Sequence, residues 1–172
     1  MLTIAKFDKY DMINNPMDTT AAITVWFTGC TFRCRNCHNR KLWSKEYGHV
    51  YTAESVSKII IATCNKLNIK SVVFLGGEPL QQDKQELLSL CQLLKKAGLK
   101  IWIYTGYNFD DVDKDILKYV YTIKCGQYID NKKQDGFPSS SNQKVYRSVE
   151  FLSKEYISSD DDFVDITKEF RR

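Results

Sequence analysis

The sequence predicts an α/β fold, an open or partial (β/α) barrel, on three observations. Short β-branched and aromatic runs alternate with stretches of helical periodicity between residues 21 and 125. Strands that alternate with helices favour a parallel sheet covered by helices. The 172 residues, 43% hydrophobic, are enough for one core but supply too few strands for a complete eight-fold barrel.

Residues 21 to 28, AAITVWFT, read as a buried first strand that Gly29 ends, so that the strand runs straight into a cysteine-rich loop. After a polar stretch beyond Trp43, Thr52 is placed to cap a helix whose apolar positions Val56, Ile59, Ile60, Thr63 and Leu67 follow helical spacing, with Cys64 beside them. Ser71 to Leu75 reads as the second strand, closed by Gly76 and Gly77. Asp83 and Glu86 then have the spacing of a capping box, and Leu87, Leu90, Cys91 and Leu94 form the inner face of the helix they start. Gly98 stops that helix, and Lys100 to Tyr104 follows as a third strand. Val112, Ile116 and Val120 mark a third short helix before a fourth strand near Tyr121 to Cys125. Beyond Gly126 the periodicity weakens: GFPSSSNQ at 136 to 143 reads as a loop, and a polar tail begins at about residue 157. A single domain over residues 1–172 is expected.

Composition narrows the class. A formal charge of +4, from 25 Lys and Arg against 21 Asp and Glu, is too mild to point to direct nucleic-acid binding. MLTIAKFDKYDM lacks the apolar core of a signal peptide, and no run approaches the roughly 20 apolar residues a membrane span needs. The expectation is a cytoplasmic protein with reduced thiols and no membrane partner.

The chemistry concentrates in TGCTFRCRNCHN, where Cys30, Cys34 and Cys37 stand at C-x3-C-x2-C, close enough for one loop to wrap one metal centre. A closed four-iron cluster takes four cysteines, so three leave one iron open, and an open position is where chemistry occurs. A structural zinc site completed by His38 or a distant cysteine is the alternative. Arg33, Arg35, Asn36 and Asn39 make the loop too polar for three cysteines packed as small hydrophobes. Cys64 and Cys91 fall on apolar helix faces and are expected in the core, and Cys125 has no partner cysteines for a second cluster.

C-x3-C-x2-C after a first strand resembles the radical S-adenosylmethionine superfamily, and with it FLGGEPL at 74 to 80 resembles that superfamily's GGEP segment. The resemblance implies the superfamily's partial-barrel fold, with a 4Fe-4S cluster on Cys30, Cys34 and Cys37 and S-adenosyl-L-methionine chelating the open iron. Reductive cleavage then gives methionine and a 5'-deoxyadenosyl radical. The cluster and cosubstrate carry that chemistry, so no catalytic acid or base is expected. Gly76, Gly77, Glu78 and Pro79 would hold the cosubstrate's ammonium group, and Tyr104, Thr105, Gly106 and Tyr107 would wall its pocket. Asn36 stands where many members have an aromatic residue against the adenine, leaving Phe32 or Tyr107 for stacking.

Within the superfamily, the short chain and the order TGC-x3-C-x2-CHN, GGEPL, IWIYTGY and SSNQKV resemble the activating proteins of anaerobic ribonucleotide reductases. That resemblance implies a radical set on a glycine of the large reductase subunit, and a separate reducing electron donor. Ser140, Ser141, Asn142 and Gln143 would shape the pocket mouth or the partner contact. Two departures are plain: NNPMDTT at 14 to 20 replaces an Asn-Gly-Pro-Gly turn, and Cys125 replaces an acidic residue before Gly126. The competing functions are a small-molecule radical enzyme of the 7-carboxy-7-deazaguanine synthase kind, an activase of another glycyl-radical enzyme, and a non-catalytic zinc-binding module.

Overall fold

A computed structural model describes residues 1–14, 21–151 and 162–170. In chain order the elements are β1 (Leu2–Asp11), β2 (Ala22–Phe27), β3 (His49–Tyr51), α1 (Ala53–Leu67), β4 (Ser71–Gly76), α2 (Lys84–Lys96), β5 (Lys100–Tyr104), α3 (Lys114–Leu117), β6 (Thr122–Cys125), β7 (Lys144–Ser148) and β8 (Phe163–Asp165). They form one sheet in the order β3-β1-β2-β4-β5-β6-β7-β8. β2, β4, β5 and β6 run parallel, as the sequence predicts, and antiparallel strands extend the sheet on both sides.

Strand alternation divides the core. Val25, Phe74, Ile101, Ile103 and Ile123 point to one face, where they pack with Val56 and Ile60 of α1 and Leu87, Leu90 and Leu94 of α2. Ala22, Val73, Leu75 and Trp102 point to the other, where Val145 and Ile166 cover them and neither α1 nor α2 contributes. Trp26, Tyr104 and Lys124 alternate onto this second face, so it becomes polar toward the C-terminal strand ends.

The helix starts follow local chemistry. The Thr52 hydroxyl accepts from Ser55 N at 3.2 Å, and an Asp83 carboxylate oxygen accepts from Glu86 N at 3.1 Å. Glu86 does not complete the expected capping box: its carboxylate accepts from Ala53 N at 2.6 Å, tying the start of α1 to α2. The inner face of α2 is the expected one. That of α1 is corrected to Ala53, Val56, Ser57, Ile60 and Cys64, with Ile59 and Leu67 39% and 40% exposed. A 15-residue helix packed on a sheet by one face buries only a narrow stripe, and Ile59, Thr63 and Leu67 fall on its edge.

Four strands escape the sequence reading: β1, β3, β7 and β8. β1 carries a clear alternation at Leu2 and Ile4, then shifts register, and its outer positions are charged. β8 lies in the region expected to be a polar tail. There Val145 N donates to the Thr167 hydroxyl at 2.9 Å, and Ile166 and Thr167 are buried. The start of that expected tail, and most of NNPMDTT, lie outside the described residues. No helix among the described residues is long and apolar enough to cross a membrane.

Candidate cofactor site

Gly29, at φ +87°, turns the chain out of β2 into the cysteine loop. The loop closes on itself, Gly29 N donating to Leu42 O at 2.8 Å and Cys30 N to Trp43 O at 3.1 Å. Arg33 and Asn36 hold left-handed backbone, at φ 51° and 57°, which a side chain rarely adopts without support. That support comes from distant elements. Gln81 accepts from Thr31 N at 2.9 Å and donates to the Thr31 hydroxyl at 2.7 Å, and Gln127 donates to Phe32 O at 3.1 Å. Asn39 N donates to the Cys37 sulfur at 3.4 Å.

Cys30, Cys34 and Cys37 are free, half-buried, and line one cavity of about 250 Å³ at the C-terminal strand ends. Burial pushes the Cys30 thiol up, against the pull of the Phe32 amide. Among the described residues no three His, Cys, Asp or Glu side chains are drawn close enough together to hold a metal ion. The cavity brings the thiols to one space without converging them on one point. His38, the fourth ligand a zinc site would recruit, is exposed and does not line this cavity.

The glycine turn after β4 docks directly on this loop. Gly77 N donates to Phe27 O and Glu78 N to Gly29 O, both at 2.8 Å, and the Asn39 amide donates to Gly76 O at 3.4 Å. A Cβ on Gly77 would stand 2.6 Å from Gly29 O and 2.8 Å from Leu42 O. The close approach that demands glycine here is therefore to the cysteine-loop backbone, in addition to any ligand. Gly76, at φ +114°, meets the β2 backbone in the same way.

Glu78, 2% exposed, turns its carboxylate into the cavity wall. One oxygen accepts from Leu80 N at 3.0 Å and the Thr105 hydroxyl at 2.8 Å, and the other accepts from Gly106 N at 2.8 Å. Burial pushes this carboxyl above its usual range, while the three donors and the Lys124 charge pull it back. Lys124 lines the same cavity, its ammonium 5.7 Å from the Tyr104 ring centroid, and burial lowers it to about 8. The Tyr104 hydroxyl donates to Asn14 O at 3.1 Å, fixing that segment at the rim.

Of the residues singled out in the sequence, Phe32, Gly76, Gly77, Glu78, Tyr104, Thr105 and Gly106 line the cavity with the three cysteines. Pro79 is buried at the start of a 3-10 turn. The Tyr107 ring stands edge-on to Phe32, at 5.0 Å and 73°, and braces it from outside. The Phe32 ring covers Gly106, where a Cβ would stand 2.6 Å from it. Asn36 is exposed and donates to Asp130 at 2.9 Å, away from the cavity. Gln143 of the SSNQ segment lines the cavity and donates to Gly126 O at 2.8 Å, while Asn142 donates to Gln127 O at 2.9 Å. Cys64 and Cys91 are buried in the core, as expected, and Cys125 is buried there too.

Sequence reasoning missed Asn14, Trp26, Asn39, Trp43, Leu75, Lys124, Gly126 and Tyr128 in the lining. Only Lys124 carried a signal, a charge inside an otherwise apolar strand, TIKC. The donor set suits an iron-sulfur cluster with one iron left open: three thiols on one cavity, with charges of both signs beside them.

The family described as a 4Fe-4S single cluster domain matches residues 20–146. The anaerobic ribonucleoside-triphosphate reductase-activating protein of Enterobacteria phage T4 is 30% identical over 149 residues, covering 84% of this chain and 93% of its own. The protein of the same name from Vibrio cholerae is 28% identical over 148 residues, covering 80% and 92%. A crystal structure of QueE from Escherichia coli matches with a TM-score of 0.48 at 18% identity, over 71% of this chain and 68% of that one.

Proposed function

Because the chain belongs to the 4Fe-4S single cluster domain family, as a radical S-adenosylmethionine enzyme, we propose that it sets a glycyl radical on the large subunit of an anaerobic ribonucleotide reductase. The observation that carries the chemistry is the single cavity shared by Cys30, Cys34, Cys37, Glu78 and Lys124. The three cysteines would hold the cluster. When bound, the cluster supplies the electron that splits a carbon-sulfur bond of S-adenosylmethionine into methionine and a 5'-deoxyadenosyl radical.

The chain's own residues bind and orient. A methionyl group carries an ammonium and a carboxylate, and the cavity offers one charge for each, Glu78 and Lys124. Thr105 and the Gly106 amide hold the Glu78 carboxylate in place, so it meets the ligand without reorganising. Phe32, braced by Tyr107, presents an aromatic face for the adenine. The SSNQ segment, Gln143 foremost, closes one side of the cavity against water.

The target reading is supported by activating proteins of that name that align over 80% or more of this chain. It is tested by incubating the reconstituted, reduced protein anaerobically with S-adenosylmethionine and a reductase large subunit. A glycyl radical doublet in the electron paramagnetic resonance spectrum of that subunit is expected. Cleavage of S-adenosylmethionine with no such signal refutes the target.

A further inference from the structure

A second cavity, of about 590 Å³, opens beside the cysteine loop, between β1 and the 3-10 turn Arg40–Trp43. Its lining shares Trp26, Cys37 and Asn39 with the cofactor cavity, and Cys37 is the one cysteine of the three that faces both. The rest of its wall includes Lys6, His38, Arg40, Lys41 and the exposed ring of Tyr47.

The charge here is unusual for this chain. Between Cys30 and Lys45 stand Arg33, Arg35, Arg40, Lys41 and Lys45, with no Asp or Glu. Setting those five aside from the 25 Lys and Arg leaves 20 against 21 Asp and Glu, so the whole positive excess resides in this one segment. Little of it is neutralised. Arg35 meets Asp130 at 3.8 Å, and Lys6 of the groove wall meets Asp8 at 2.9 Å. Among the described residues Arg40 and Lys41 have no carboxylate within 4 Å, and both are exposed on a short 3-10 turn, Arg40–Trp43.

We propose that this basic groove is the docking surface for an acidic one-electron carrier protein, which delivers its electron to the cluster from the Cys37 side. The inference rests on the reading that Cys30, Cys34 and Cys37 hold the cluster. On that reading the cosubstrate takes the Glu78 side of the loop, an electron source approaches from another, and this groove reaches a ligand cysteine, Cys37. A protein with a negative face complements the exposed Arg40 and Lys41 of the groove wall, and such fields speed encounter and fix orientation. The radical, in contrast, leaves through the cosubstrate cavity, which sets the reductase subunit at that cavity's mouth instead of on the groove. The step balances simply: the carrier is oxidised by one electron and the cluster is reduced by one.

The test uses the loaded protein, its metal-free form and an Arg40→Glu/Lys41→Glu variant. The carrier is an acidic flavin mononucleotide protein in its hydroquinone state, and the control reductant is reduced methyl viologen, a cation. Calorimetry gives carrier affinity for the metal-free and loaded forms, and stopped-flow absorbance gives cluster reduction rates. At low salt the variant should lose roughly tenfold or more in both affinity and carrier rate, and the wild-type rate should fall as salt rises from about 50 to about 500 mM. Reduction by methyl viologen should not slow.

Equal carrier affinity and rate in variant and wild type would overturn the proposal. So would a wild-type carrier rate indifferent to salt, a result that decides the matter even if the double variant fails to fold; Arg40→Gln/Lys41→Gln offers a milder check. Unchanged carrier rates with weakened binding of the reductase subunit would likewise overturn it and assign the groove to that subunit. A wild-type protein that the carrier reduces, yet that leaves no radical on the reductase subunit, refutes the proposed target and leaves the docking surface standing.

Discussion

Replacing Lys124 with methionine should make the metal-free protein more stable and the cosubstrate site worse. The amine is half-buried, has no hydrogen-bond or ion-pair partner among the described residues, and is held at about 8 instead of the ordinary 10.5. At about 1.4 kcal/mol per tenfold change in proton affinity, and allowing for solvent in the cavity, its charge costs about 2 to 3 kcal/mol at neutral pH. Between pH 8 and 10.5 the unfolded chain keeps a proton on Lys124 that the folded chain has released, so the penalty is full below that window and fades as pH rises through it. Urea unfolding of the metal-free, thiol-reduced proteins should therefore show Lys124→Met ahead by about 2 kcal/mol at pH 7, with the advantage shrinking toward zero above pH 10. Methionine nearly matches the lysine stem in volume, so little packing is lost. Binding of S-adenosylhomocysteine, which keeps the carboxylate, should weaken roughly tenfold because a charge-assisted contact is gone. A variant less stable than wild type at pH 7, or one that binds the ligand equally well, would refute this account of Lys124.

Three further outcomes follow from the same geometry. Gly77→Ala sets a Cβ 2.6 Å from the Gly29 carbonyl, and neither backbone can yield, so the turn should undock from the cysteine loop; a cost of about 2 kcal/mol or more and poor iron loading are expected by chemical denaturation and iron assay, and a loaded, equally stable variant would contradict it. Glu78→Gln replaces an acceptor of three donors with a group that sets an NH2 against one of them and loses the charge for an ammonium group, so S-adenosylhomocysteine affinity should drop roughly tenfold by calorimetry, and unchanged affinity would remove Glu78 from the binding site. Single alanine substitutions at Cys30, Cys34 and Cys37 should each abolish the visible cluster absorbance, whereas Cys91→Ala, in the closed core, should keep it and cost about 1 kcal/mol of stability; retained absorbance in any of the first three would break the ligand assignment.

The parts of this protein that sequence alone determined are those whose physics is local. The cysteine spacing, the GGEP turn, the parallel strands at 71–76 and 100–104 and the inner face of α2 are each written within a dozen residues, where periodicity, capping and thiol chemistry act directly. β1, β3, β7 and β8 were not legible, because β3, β7 and β8 are too short to show a period, the alternation of β1 breaks where its register shifts after Ile4, and all four take their place from partners far along the chain. The lining of the cavity was decided by tertiary structure for the same reason. Sheet register alone puts Trp26, Leu75, Tyr104 and Lys124 on one face of four strands, and loop closure alone carries Asn14, Trp43 and Gln143 to the same space. The sequence names the cysteines that a cluster needs. Only the packed sheet shows that a glycine turn is pressed against their loop, that a lysine lines the same cavity, and that Cys37 stands between two cavities of different character.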